Sequence, residues 1–378
     1  MPRVQDMFLC TLFMAFLLAP FVSSTLRREP VAVKMAGSDR IAEFPPLPAN
    51  ALEWASWPRD FEAWHFDHLG LRASMVRAEN MLKIIVLGTS PSPRIAIGRD
   101  HWIFAAGYDI DAWRGADPFT QPESLAWHKC LGSRKSELAA HGIRYFFVIA
   151  PGKAAIYPEF LPARFQKGGP SRTDELVAYL AQNSRFRPID ARAALLKEKR
   201  NDVGDDYLYY PLGFHWNARG AWVGTRAIVT ELAALWPAVS NVDGRIDSQE
   251  SATGQGDSWA EALFLSDMLT QPMRQVIFHD AVTRTLKFSA PGQAGMVVVD
   301  QEDASLPRAV VLHDSFGDPM PELLGRYFSH AVFVNPPELD TRLLEQEKPD
   351  LVIQIVSDRA LAKRHYPHDM FVWTPTVR

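Results

Sequence analysis

Three stretches of the chain are nearly continuous apolar runs: Arg144–Ala150 (RYFFVIA), 308–313 (RAVVLH) and Asp350–Val356 (DLVIQIV). Runs of this kind, bounded by polar or turn residues, mark strands buried on both faces. Shorter strands are predicted at Arg187–Asp190, Met273–Phe278, Gly295–Val299 and 331–334. Between them, Pro122–His141, Ser171–Gln182, Ala218–Leu235 and 318–328 carry apolar residues at helical spacing. So does 58–86, through Phe61, Trp64, Phe66, Leu69, Leu71, Met75 and Met81, with an interruption near Gly70. Arg94–Phe104 (RIAIGRDHWIF) reads as a hairpin turning at Gly98-Arg99-Asp100. Apolar runs alternating with helices predict an α/β fold: a flavodoxin-type, mostly parallel sheet flanked by helices. Ligands of such sheets collect outside the carboxyl ends of the strands. Lys153, Ser315 and the pair Asp358-Arg359 lie just after predicted strands, so the topology gathers them at one edge. His215 lies on a loop with no strand immediately before it.

The N-terminus has a different pattern. Met7–Ser23 is an almost unbroken apolar run of 17 residues, preceded by Arg3 and followed by Arg27 and Arg28. That length is at the lower limit for a membrane span and somewhat long for the core of a signal peptide. Val22 and Ser24 fit the small-residue positions of a cleavage site before Thr25. Residues 1–28 are therefore read as a signal peptide or membrane anchor. Residues 29–52, with Pro45, Pro46 and Pro48, are read as a linker, and 53–378 as one domain. Either reading of the N-terminus exports the domain.

Composition narrows the function. The net charge is −4 and no basic face dominates, which argues against nucleic acid as a partner. A chain that is 47% hydrophobic holds a sizeable core without cross-links. Of its 2 cysteines, Cys10 sits inside the apolar N-terminal run, so no structural disulfide is expected. No Cys/His ligand spacing signals a metal, and no cofactor is expected.

Two strings carry candidate chemistry. In Ala309–Asp318 (AVVLHDSFGD), a buried strand ends abruptly at Asp314-Ser315. A serine at a strand-to-helix turn stands exposed above a sheet, where a nucleophile can work; the alternative role there is a helix N-cap. In Tyr209–Asn217 (YYPLGFHWN), His215 precedes a helix, as a general base or as a packed, hydrogen-bonded ring. Asn217 suits the cap of that helix. Serine and histidine on separate segments are the minimum for acyl transfer.

Five strings, in order over roughly residues 43–375, resemble the AlgX/AlgJ-type alginate O-acetyltransferase family, which carries an SGNH-hydrolase-like domain. They are Phe61–Arg72 (FEAWHFDHLGLR), Gly98–Phe104 (GRDHWIF), Pro151–Pro162 (PGKAAIYPEFLP), His215–Ala221 (HWNARGA) and Asp314-Ser315-Phe316. The resemblance implies a periplasmic enzyme that moves acetyl groups onto the hydroxyls of an exopolysaccharide. Its partners would be the polysaccharide acceptor and a membrane-bound O-acyltransferase that supplies acetyl. The nucleophile maps onto Ser315 and the base onto His215. Lys153, Tyr157, Trp216 and Arg359 would line the substrate site.

The chain departs from the family pattern twice. The family's acid stands two residues before the histidine, where this chain has Gly213; the glycine before Asp-Ser is here His313. Asp206 and Asp190 are the candidate substitute acids. Two further readings stay open. One is a polysaccharide acetylesterase of the same fold. The other, motivated by Gly213, is a catalytically degenerate binding subunit.

Overall fold

The computed structural model describes residues 4–26, 42–201, 204, 206–242, 244–254, 257–279, 285–288, 295–335 and 341–362. The chain divides into two compact units, Met1–Pro91 with Trp259–Thr270, and Ser92–Ser258 with Gln271–Arg378.

In the larger unit the described strands are, in chain order, β1 (Ile95–Ile97), β2 (Ile103–Ala105), β3 (Arg144–Ala150), β4 (Ile189–Asp190), β5 (Ile246–Gly254), β6 (Gln271–Phe278), β7 (Thr285–Phe288), β8 (Gly295–Asp300), β9 (Arg308–His313), β10 (His330–Asn335) and β11 (Leu351–Ser357). One 7-stranded sheet runs β4-β3-β11-β9-β10-β8-β7. From β4 to β10 all neighbours are parallel; β8 and β7 continue it antiparallel. The last strand, β11, is inserted between β3 and β9, whereas the flavodoxin order would place it at the far edge. This insertion makes the carboxyl ends of β3, β11 and β9 adjacent.

These strands are apolar on both faces because both are covered. Val148, Val311, Phe333 and Ile353 point to one side, where the helix Ala218–Ala233 brings Ala221, Trp222, Ile228 and Leu232. Phe147, Val310, Leu312 and Val352 point to the other, against Trp127, Leu131, Leu176 and Leu180 of the helices Gln121–Ala140 and Arg172–Asn183. Each such side chain, fully buried, contributes roughly 1.5–3 kcal/mol. Both latter helices start with a capping box, Thr120 with Glu123 and Ser171 with Asp174.

The helix predicted over 318–328 is instead three short pieces: Ser315–Gly317, Met320–Leu323 and Gly325–Tyr327. Pro319 and Pro321 lack the N–H groups that would donate to the carbonyls of 315 and 317, so no helix runs on from the Ser315 turn. The strand expected at 273–278 lies outside the main sheet, paired antiparallel with β5.

In the smaller unit, Val4–Leu26 is one helix. Its segment Val4–Ser24 has a mean hydropathy of 2.0 and is only 6% buried, so by length and composition it meets the requirement for a membrane span. The next helix starts at Ala51 rather than at 58, because Asn50 caps the N–H groups of Leu52 and Glu53. It ends at His68, and Arg72–Met81 follows after the expected break at Gly70. A Cβ on Gly70 would lie 2.6 Å from the Pro20 carbonyl, so only glycine admits this approach of the N-terminal helix. The Gly70 N–H donates to Ser24 Oγ at 2.7 Å.

Candidate active site

β9 delivers Ser315. Asp314 turns the chain: its carboxylate accepts the Phe316 N–H at 2.9 Å and the Ser357 N–H at 2.7 Å, tying the end of β9 to the end of β11. The cap of this turn is thus Asp314, and Ser315 is left exposed beside it. Among the described residues, the Ser315 N–H donates to none.

His215 comes from a tight loop closed by a bridge between Tyr209 and Trp216. Within it, Gly213 N–H donates to the Tyr210 carbonyl at 3.2 Å, and Tyr210 N–H to the His215 carbonyl at 3.2 Å. Asn217 then caps the helix Ala218–Ala233 through Gly220 N–H, as its sequence position suggests. His215 Nε2 stands 2.8 Å from Ser315 Oγ.

The other ring nitrogen, Nδ1, stands 3.0 Å from Asp257 Oδ2. The same oxygen accepts the N–H groups of Phe214 and His215, both at 2.5 Å. A carboxylate only accepts, so Nδ1 carries the proton and Nε2 presents its lone pair to Ser315. Burial pushes the Asp257 carboxyl up, but the His215 ring and the two backbone donors outweigh it and hold the group below the usual carboxylate range. Gln271, buried at the start of β6, braces the arrangement. Its side chain accepts from Leu212 N–H at 2.8 Å and donates to the Asp257 carbonyl at 2.8 Å.

Asp257 and Gln271 are the residues that sequence reasoning missed. Of the acids it proposed, Asp190 is bound to the Arg192 guanidinium at 2.8 Å, and Asp206 pairs with Arg274 at 3.3 Å and Arg219 at 3.6 Å. Neither reaches His215. The one trace of Asp257 in the sequence is negative: Gly213 leaves a gap that some other residue must fill. A Cβ there would lie 1.9 Å from the Asp257 carbonyl oxygen and 2.6 Å from Oδ2.

Three expected substrate-lining residues are buried instead. Tyr157 is 1% exposed, and its hydroxyl accepts the Leu208 N–H. Trp216 is 3% exposed, with its ring against Phe316 and its Nε1–H on the Phe316 carbonyl. Lys153 is 4% exposed and enclosed by backbone carbonyls. Side chains so placed have no surface to offer a sugar. Arg359 differs: its side chain is 46% exposed, paired with Asp109 at 3.6 Å, and its guanidinium stands 5.3 Å from the ring of Phe214. That ring meets His215 edge-on at 5.0 Å.

Asp358, following β11, accepts the Gly152 N–H at 2.7 Å; burial pushes its carboxyl up to about 7, against the pull of that bond. His313 is buried, with Nδ1 2.8 Å from the Asp314 carbonyl oxygen. Among the described residues no cluster of His, Cys, Asp and Glu could hold a metal ion. An open groove of about 670 Å³, lined by Trp222, Arg226, Arg245 and Tyr327 among others, contains none of Ser315, His215 and Asp257.

Known proteins share this fold. The family described as "SGNH hydrolase-like domain, acetyltransferase AlgX" matches residues 95–284. PatB1 of Bacillus cereus, solved with a sulfonyl adduct, aligns with a TM-score of 0.51 at 14% identity, over 72% of this chain and 99% of that one. A DHHW family protein from Eubacterium siraeum gives 0.50 at 14% identity, over 73% and 94%. The O-acetyltransferase domain of Pseudomonas putida AlgJ gives 0.47 at 16% identity, over 74% and 95%. At these identities the first two establish a shared fold. No curated protein sequence matches significantly.

Proposed function

The chain belongs to the AlgX-type family of acetyltransferases with an SGNH hydrolase-like domain, and from that premise we propose that it is an exported polysaccharide O-acetyltransferase acting through an acetyl-enzyme on Ser315. The observation that carries this reading is the line Ser315 Oγ–His215 Nε2 and His215 Nδ1–Asp257 Oδ2, at 2.8 and 3.0 Å.

Ser315 Oγ attacks the acetyl carbonyl carbon while His215 Nε2 takes its proton. The Ser315 N–H is open to donate to the oxyanion that forms. Collapse breaks the bond to the donor's oxygen, which leaves with the proton from His215, and acetyl-Ser315 remains. A sugar hydroxyl then gives its proton to His215 and attacks the ester; Ser315 Oγ departs and regains the proton. Asp257 holds the imidazole tautomer and stabilises the imidazolium of each half-reaction. Arg359 is the residue that would meet an anionic group on the acceptor. The donor side is assigned to a membrane-bound O-acyltransferase, and the N-terminal helix to export into the periplasm as an anchor or signal.

An acetylesterase has the same first half-reaction. The two are separated by acetyl-ester turnover measured with and without added oligosaccharide, beside Ser315→Ala and His215→Ala. Transferase action predicts acetylated sugar at the expense of free acetate, lost in both variants. Acetate release indifferent to the sugar would replace transfer by hydrolysis. A folded parent protein without turnover would favour a binding role.

A further inference from the structure

Lys153 is not used by the chemistry above, yet it is the most enclosed cation beside it. It opens the short helix after β3, and its Nζ lies within hydrogen-bond distance of four carbonyl oxygens: Ile103 and Gly213 at 2.6 Å, Tyr210 and Pro211 at 2.9 Å. Three of the four belong to the loop that ends in His215. Trp102 and Phe104 close the pocket, their ring centres 5.2 and 4.9 Å from the ammonium. On its other side the loop turns the N–H groups of Phe214 and His215 to Asp257. The loop's peptide dipoles are thus strung between a cation on their carbonyl side and an anion on their N–H side.

We propose that Lys153 is the positioning residue for His215: its ammonium gathers the carbonyls of 210–213 and so sets the imidazole on Ser315. The inference rests on reading Ser315, His215 and Asp257 as an acid–base centre. An ammonium has three N–H groups for four acceptors, and a neutral amine has only two. Loss of the proton therefore releases at least one more of the four carbonyls and loosens the hold on the loop.

That proton is held weakly. Burial pushes Lys153 down to about 7, and the charge of Asp257 pulls it back up. The other titratable groups about it are Asp109 and Asp358, which share its small cavity across Gly152, and Tyr210, whose hydroxyl burial pushes up. From the hairpin it meets the Ile103 carbonyl and the rings of Trp102 and Phe104, none of which titrates. The sign follows. The folded pKa lies below the ordinary lysine value, so the clamp is complete at lower pH and opens as pH rises through neutrality. The unfolded chain keeps its proton longer, so Lys153 makes folding stability rise with pH from about 7 up to the ordinary lysine value of 10.5. Stability and His215 order move in opposite directions.

The test uses phenylmethanesulfonyl fluoride on the full chain, since it needs no acceptor. Ser315 Oγ bonds to sulfur, fluoride leaves, and the hydroxyl proton passes to His215. Lys153→Met is expected to lower the second-order rate of Ser315 labelling by about 10- to 100-fold, the scale of a small misplacement of a catalytic group. The wild-type rate should fall as pH rises through about 7, and the variant should lack that fall. A rate equal to wild type, or one lowered uniformly with the wild-type pH profile, would overturn the proposal while leaving the acid–base centre intact. Wild-type protein that is not labelled at Ser315 would overturn both. If Lys153→Met does not fold, wild-type protein carrying ¹⁵N-lysine decides: the fall in rate must track the titration of the Lys153 Nζ signal, and a mismatch rejects the clamp.

Discussion

At position 213 the absence of a side chain is what lets Asp257 reach His215. The family pattern has its acid there, on the histidine's own loop. In this chain the carboxylate enters from a segment more than forty residues downstream and occupies the space a side chain would fill. Gly213→Ala should therefore disturb the centre although alanine is small. The obstacle is a backbone carbonyl 1.9 Å from the new Cβ, which no rotamer change relieves. A cost of about 1–3 kcal/mol is expected for such overpacking, read as a lowered thermal midpoint together with lost activity. Gly213→Asp, which would restore the family string, should fare no better. Gly213→Ala with an unchanged midpoint and full activity would contradict this account. The contact between Ser315 and His215 could be anticipated because each sits in a short string with its own local geometry. Asp257 could not: its contact with His215 is tertiary, and nothing local distinguishes it from the other acids of the chain. Lys153, Tyr157 and Trp216 lie buried rather than facing a substrate. A residue that ends a strand looks the same in sequence whether it turns to solvent or into a cage of carbonyls.

At the scale of elements, the central strands were read almost residue for residue, since a strand buried on both faces is a nearly pure apolar run with sharp ends. Their order was not legible, because β11 reaches its place between β3 and β9 through packing that leaves no trace in its own composition. Yet that insertion lets the Asp314 carboxylate bind Ser357 N–H and hold the Ser315 turn. The β5–β6 pair was half seen: its second strand was expected, its partner was not. It matters because β6 begins with Gln271, whose amide joins the histidine loop to Asp257. The second departure from the family, His313, is also resolved at this scale. Its bulk is taken up one turn later, where a Cβ on Gly317 would lie 2.2 Å from the His313 Cβ. Gly317 leaves the room that the His313 side chain needs.

For the whole molecule, the helix Val4–Ser24 and the acid–base centre define the proposed division of labour: one end delivers or anchors the chain, and the larger unit works outside the cytoplasm. If the helix is an anchor, the full chain should stay with the membrane fraction after an alkaline carbonate wash and lose that attachment when residues 1–28 are removed. Release of the full chain by the wash would leave the signal-peptide reading. The central claim is that Asp257 completes a working centre in a chain whose usual acid position is glycine. Turnover of a chromogenic acetyl ester by Asp257→Asn, bracketed by wild type and His215→Ala, tests it most directly. A fall on the order of 10⁴ in kcat, the scale of the equivalent loss in the Ser-His-Asp triad of serine proteases, with an unchanged fold, is the predicted result. Asp257→Asn turning over like wild type while His215→Ala is inactive would contradict it.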